Sequence, residues 1–157
     1  LLLGSNLGNR ESNLLKAKEI LKLNAFVINE SSSIYETASW GKEDQPLFLN
    51  QCILGSYENS ASELLELIRS IEEELKRQRK EKWGSRTIDV DILFFGDEVI
   101  NSEDLTIPHP EISARRFTLE PLIELMPNFV HPVFNKSLSE LKDECKDPLE
   151  VRKLQTT

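Results

Sequence analysis

The chain has 157 residues and a mass of 18.0 kDa, enough for one domain with a buried core, and its 39% apolar composition excludes a disordered or fibrous protein. A formal net charge of −8 argues against nucleic acid or an anionic membrane as the main partner, since most of the surface would repel either. No apolar run approaches the ~18 residues of a membrane span and no signal peptide is visible, so a cytoplasmic protein is expected. Cys52 and Cys145 fit neither a metal spacing nor a disulfide scaffold, and Cys52 reads as a small core hydrophobe.

Leu1 to Leu3 reads as the stub of a buried strand. The chain opens inside it without an initiator Met, so a preceding segment is expected to be missing. Gly4-Ser5-Asn6-Leu7-Gly8-Asn9-Arg10 then turns into a helix. It lacks the Gly-Lys-Ser/Thr of a Walker loop and reads as a glycine-permitted turn with Asn9 as N-cap. Leu14, Ala17 and Leu21 mark the buried stripe of a helix ending near Lys22.

Phe26 to Tyr35 reads as a strand, Thr37 to Pro46 as a polar loop interrupted by Trp40, and Phe48 to Tyr57 as a second strand. On that strand Phe48, Asn50, Cys52 and Leu54 share a face. An amide in such a row needs partners, either neighbouring backbone or a ligand's hydrogen-bonding edge. Ser60 and Glu63 have capping-box spacing, and Leu64, Ile68, Ile71 and Leu75 give the stripe of a long helix that runs out near Arg79.

A loop to Ser85 leads into a strand, Arg86 to Phe95. Gly96-Asp97 makes a turn, and Val99-Ile100 can pair with Leu105 to Ile107 as a small hairpin. Short helices are expected near Leu119 to Leu125 and Leu138 to Glu144, followed by a polar, mobile tail from Asp147. The order strand, helix, strand, strand, helix, strand predicts an α+β fold. It is the ferredoxin-like βαββαβ antiparallel sheet with helices on one face, plus a C-terminal hairpin and short helices, in a single domain over 1–157.

The chemistry concentrates in Lys82 to Leu93, K-W-G-S-R-T-I-D-V-D-I-L. Strand alternation turns Ile88, Val90 and Ile92 to one side and Asp89 and Asp91 to the other, with Cα atoms about 6.6 Å apart. Alone, such a pair reads as the solvated face of a half-buried sheet. Beside it, however, sit Lys76, Arg77, Arg79, Lys80, Lys82 and Arg86 in an otherwise acidic chain. Carboxylates for a hard cation next to guanidinium groups for phosphate are what Mg-nucleotide requires. The cluster also suits a helix C-terminus, and the two accounts are compatible.

The run from Lys82 to Leu93 resembles the signature of the 6-hydroxymethyl-7,8-dihydropterin pyrophosphokinase family: basic, any, Gly, small, Arg, two of any, Asp, aliphatic, Asp, aliphatic pair. Further matches at Gly4 to Gly8, Tyr35 to Asn50 and Pro108 to Phe117 spread the likeness over all but about the last fifteen residues.

The resemblance implies transfer of diphosphate from ATP, the co-substrate, to the hydroxymethyl group of the reduced pterin, with release of AMP, in folate biosynthesis. It implies that Asp89 and Asp91 hold two Mg²⁺, and that Arg77 and Arg79 act in catalysis with them. The triphosphate and nucleotide would be met by Arg77, Arg79, Trp83, Arg86, Ile92, His109 and Arg115. Phe48 and Phe117 would stack on the pterin while Thr37, Trp40, Asn50 and Asp89 read its edge. Glu72 matches an acidic family position, although a solvated helix face accounts for it equally.

By pattern alone His109 reads as structural and Phe48 and Phe117 as core, while His131 matches no motif position. Ser39 stands where the family often has proline, so the Thr37 to Gln45 loop fits less closely than the metal site. The implied partners are ATP and the pterin, without nucleic acid or membrane, in a monomer. A nucleotidyl transferase and a non-catalytic sheet module remain as alternatives. RNA binding of the usual sheet type would need a basic, aromatic-rich strand motif that is absent here.

Overall fold

The computed structural model describes residues 1–39, 44–77 and 87–155. It is a mixed α+β protein whose six-stranded sheet has the order β5-β1-β4-β3-β8, with β2 also paired to β4. The strands are β1 (Leu2–Ser5), β2 (Val27–Ser31), β3 (Tyr35–Thr37), β4 (Phe48–Ser56), β5 (Asp89–Asp91) and β8 (Val151–Lys153). Every neighbouring pair is antiparallel. A separate hairpin joins β6 (Ile100–Asn101) to β7 (Thr106–Ile107), as expected.

Sheet alternation divides the interior in two. Leu3, Leu49, Ile53 and Val90 pack with Leu14, Ala17 and Leu21 of α1 (Arg10–Leu23) and with Leu64, Ile68, Ile71 and Leu75 of α2 (Ala61–Arg77). On the opposite face Leu2 and Cys52 pack with Leu119 and Leu122 of α3 (Arg116–Leu125) and with Leu138 and Leu141 of α4 (Leu138–Glu144). The two long helices thus share one face, and the C-terminal helices cover the other.

Local signals account for most boundaries. Asn9 Oδ1 accepts from Ser12 N at 2.9 Å and starts α1. Ser60 and Glu63 form the reciprocal box before α2, with Glu63 N donating to Ser60 Oγ at 3.1 Å and Ser60 N donating to Glu63 Oε2 at 2.9 Å. Ser137 and Glu140 repeat that box before α4. The expected end of α2 near Arg79 lies outside the described residues.

Five expectations change. The first strand continues through Gly4 and Ser5 because both are small and fit against Asn50 and Leu49 of β4. The single strand expected over Phe26 to Tyr35 is two strands, interrupted where Ser32 Oγ accepts from Cys52 N at 3.0 Å. A hydroxyl takes the rung that a carbonyl would occupy, and the backbone is released to turn.

Within the strand expected over Arg86 to Phe95, the described residues pair only at Asp89–Asp91, which lie against Leu2 to Gly4 of β1. Its alternation still holds, with Ile88 1%, Val90 5% and Ile92 5% exposed, a set worth about 1.5–3 kcal/mol per side chain in burial. The tail expected to be mobile contains β8, which pairs Val151 with Thr37 and Lys153 with Tyr35. Finally, α3 begins at Arg116 rather than near Leu119, which puts Phe117 on a helix.

Candidate active site

On the sheet face shared with α3, register builds the site. Gly4 lies between Asp89 of β5 and Asn50 of β4, while Leu2 lies between Asp91 and Cys52. Phe48 opposes Thr37 at the last rung of the β3–β4 pair. These rows floor a cavity of about 380 Å³ whose walls add Ala38, Ser39 and Gln45 from the β3–β4 loop, with His109, Arg115 and Phe117 from the C-terminal side. Four segments distant in sequence converge there.

The carboxylates of Asp89 and Asp91 line this cavity, half-buried, on the side away from the helix-packed residue Val90. Between them the N–H of Val90 donates to Glu72 Oε1 at 3.0 Å. Glu72 of α2 therefore satisfies an edge-strand donor directly between the paired acids. Among the described residues no group of three or more His, Cys, Asp or Glu is set to hold a metal. Two carboxylates on the wall of an open cavity suit Mg²⁺, which is bound by one or two protein carboxylates together with substrate phosphate.

Asn50 is 3% exposed and donates through Nδ2 to Thr37 Oγ1 at 3.0 Å. The partner is a neighbouring side-chain hydroxyl rather than the backbone expected of a purely structural amide, and Asn50 also lines the cavity. Phe48 and Phe117 both line the cavity, Phe117 also packs against the core around Leu2 and Leu119, and the Arg115 guanidinium carbon stands 5.7 Å from the Phe117 ring centre. Such a contact is worth about 0.5–1 kcal/mol when exposed.

His109 follows the cis Ile107–Pro108 bond, and its N–H donates to Leu93 O at 2.9 Å. Burial, and then the Arg115 guanidinium, push its imidazole below the ordinary value, against Glu111 and Asp89. Its Nδ1 accepts from Glu111 N at 3.1 Å, so the neutral ring carries its proton on Nε2 as a donor. Ile92 lies in the helix-packed core, so its side chain does not line the cavity.

Trp40, Arg79, Trp83 and Arg86 lie outside the described residues. Arg77 is the last residue of α2. Leu2, Gly4, Ala38, Ser39 and Gln45 also line the cavity, although the sequence reading assigned none of them a site role. Gln45 Oε1 accepts from Ser39 Oγ at 3.2 Å and from Asn6 Nδ2 at 3.3 Å, tying the loop to the β1–α1 turn. Gly4, Ala38, Ser39 and Gln45 fall inside the stretches that resemble the family, but nothing in their residue types marked them as lining a site.

His131 belongs to the opposite category. It is 3% exposed, stacks on Phe134 with ring centres 4.3 Å apart, and accepts at Nδ1 from Val133 N and Phe134 N. Cys52, likewise, is a core residue whose thiol burial pushes up to about 12.

The model of the family 7,8-dihydro-6-hydroxymethylpterin-pyrophosphokinase (HPPK) matches residues 1–127. The chain belongs to the HPPK family. It is 44% identical over 143 residues to the 2-amino-4-hydroxy-6-hydroxymethyldihydropteridine pyrophosphokinase of Aquifex aeolicus, covering 90% of this chain and 88% of that one. It is 47% identical over 124 residues to the Bacillus subtilis protein of the same name, covering 78% and 74%.

Among solved structures, the wild-type Plasmodium falciparum HPPK-DHPS crystallised with pteroate superposes with a TM-score of 0.69 at 18% identity. That match covers 91% of this chain but 41% of the other and speaks to the fold alone. The HPPK chain therefore spans less than half of that longer protein. Among the described residues, no helix is long and apolar enough to cross a membrane.

Proposed function

We propose that this chain transfers the β,γ-diphosphoryl group of Mg-ATP to the hydroxymethyl oxygen of 6-hydroxymethyl-7,8-dihydropterin and releases AMP. The observation that carries the reading is the convergence of Asp89, Asp91, Asn50, Phe48, Phe117, His109 and Arg115 on one cavity. A flat, amide-edged ring needs two faces and a few fixed hydrogen-bonding groups, and a triphosphate needs cations and donors beside a metal.

In this reading Phe48 and Phe117 stack on the pterin, while Asn50 and the backbone near Thr37 and Trp40 meet its edge. Asp89 and Asp91 would hold two Mg²⁺, which supply charge neutralisation on the phosphates and acidify the substrate hydroxyl when bound. The hydroxymethyl oxygen attacks the β-phosphorus, the bond between that phosphorus and the α,β-bridging oxygen breaks, and the hydroxyl proton leaves to solvent. His109 donates from Nε2 and Arg115 neutralises charge on the same phosphates. Arg77, Arg79 and Arg86 add cations from the chain between α2 and β5, with Trp83 and the Ile92 backbone toward the nucleotide.

The fold reading goes with it. With β2 and β3 taken as halves of one interrupted strand, the strand order supports reading a ferredoxin-like βαββαβ sheet, proposed as a single domain over 1–157. A cytoplasmic monomer without nucleic-acid or membrane partners completes the proposal.

The deciding experiment is incubation with Mg-ATP and the pterin alcohol, followed by product analysis. AMP and a pterin diphosphate are expected. Formation of ADP would mean a simple kinase, and release of pyrophosphate a nucleotidyl transferase; either rejects the reading.

A further inference from the structure

Arg10 opens α1, where a cation meets the positive end of the helix dipole and gains nothing from the helix itself. Its partners lie elsewhere. Arg10 Nη1 donates to Glu36 Oε2 at 3.0 Å and to Leu47 O at 2.8 Å. Glu36 immediately precedes Thr37 and Leu47 immediately precedes Phe48, and Thr37 and Phe48 oppose each other at the last rung before the loop. One guanidinium thus holds both feet of the loop that walls the cavity.

The grip is well supported. The Glu36 side chain is only 10% exposed, and Arg152 of β8 donates to its second carboxylate oxygen. Burial would raise the Glu36 carboxyl, but the hydrogen bonds from Arg10 and Arg152 outweigh it and hold the group below its ordinary value. A charged carboxylate with two guanidinium partners is a fixed anchor.

Resting on the function proposed above, we infer that Arg10 is a positioning residue for the pterin half of the reaction. It sets the spacing between Thr37 and Phe48, and with it the seat for the ring, while touching neither substrate. Its partners, Glu36 and Leu47, include none of the β5 carboxylates, His109 or Arg115.

The test compares wild type with R10A and R10K, measuring kcat and KM for each substrate and amide hydrogen exchange over 44–50. For R10A, KM for the pterin should rise about five- to tenfold, with KM for ATP unchanged and kcat within about twofold. Exchange at 47–49 should quicken in the unliganded protein, and R10K should recover part of both effects. Equal changes for both substrates, or no change in either readout, would overturn the inference. If wild type makes no pterin diphosphate, the function proposal fails by itself. Exchange then decides the clamp: faster exchange in R10A supports it, and unchanged exchange removes it.

Discussion

The amide of Asn50 and the hydroxyl of Thr37 are joined by a 3.0 Å hydrogen bond across β3 and β4, at the floor of the cavity. The bond commits Nδ2 and leaves Oδ1 as the acceptor that a Cβ on Gly4 would approach to 3.0 Å. The orientation of one amide is therefore fixed by a residue on each neighbouring strand.

Replacing Thr37 by Val keeps the volume and removes that acceptor, leaving a buried donor without its partner at a cost of about 1–3 kcal/mol. Pterin affinity should fall roughly tenfold or more, whereas Thr37→Ser should stay near wild type. Calorimetric titration with the pterin, in the presence of a non-hydrolysable ATP analogue, reads this directly. Equal affinities for the Val and Ser variants would rule out the role.

A methyl at Gly4 must displace Asn50 Oδ1 or be displaced by it, and Phe48 Cδ1 lies just beyond at 3.7 Å. Gly4→Ala should therefore raise KM for the pterin while sparing KM for ATP. Steady-state kinetics with each substrate varied in turn check the split. A rise confined to ATP would contradict it.

Asp89→Ala and Asp91→Ala should each lower turnover by about a hundredfold or more, because on the proposed reading Mg²⁺ would lose a carboxylate it needs against the triphosphate. Ile88, Val90 and Ile92 remain buried on the other side, so far-ultraviolet dichroism and the melting midpoint should change little. Chelation by EDTA should stop the wild-type reaction, and added Mg²⁺ should restore it. Variants that retain full turnover would remove the metal assignment.

Glu72 supports the acids through the backbone between them. Glu72→Ala strands the Val90 N–H and should cost about 1–3 kcal/mol of stability, while Glu72→Gln, which keeps an acceptor, should recover most of it. Urea unfolding midpoints distinguish the two variants. Identical losses would assign Glu72 a purely electrostatic role.

Stability should decline as pH falls below about 6.5. Burial lowers His131, and burial with Arg115 lowers His109, so folding favours both rings neutral; below the unfolded value, unfolding takes up protons that the folded state resists. Glu36 and Glu124 are held low and lose their contribution only further down, as pH falls through their folded values. His131→Asn retains an acceptor near the Nδ1 position without titrating, so its stability between pH 7 and 5 should be flatter than wild type. Parallel profiles would show that His131 is not a source.

Much of this was readable in the chain because the signals are local. Asn9, Ser60 and Ser137 each cap a helix with a side chain only a few residues away. The period-two alternation of Ile88, Val90 and Ile92 needs only that one face be buried. The interruption at Ser32, the strand hidden in Val151–Lys153 and the early start of α3 were not readable. Each depends on a partner far away: Cys52 for the first, Thr37 and Tyr35 for the second, and Asp147 Oδ2, which accepts from Arg116 N, for the third.

The sequence by itself determined the paired acids, the amphipathic helices and the likeness to a pyrophosphokinase signature, because hydrophobic period and residue chemistry are properties of short stretches. Only the tertiary structure decided that Gly4 would stand between Asp89 and Asn50, and that Arg10 would grip both Glu36 and Leu47. Those relations are fixed by sheet register and by packing across the fold, and no short window of the chain contains both partners.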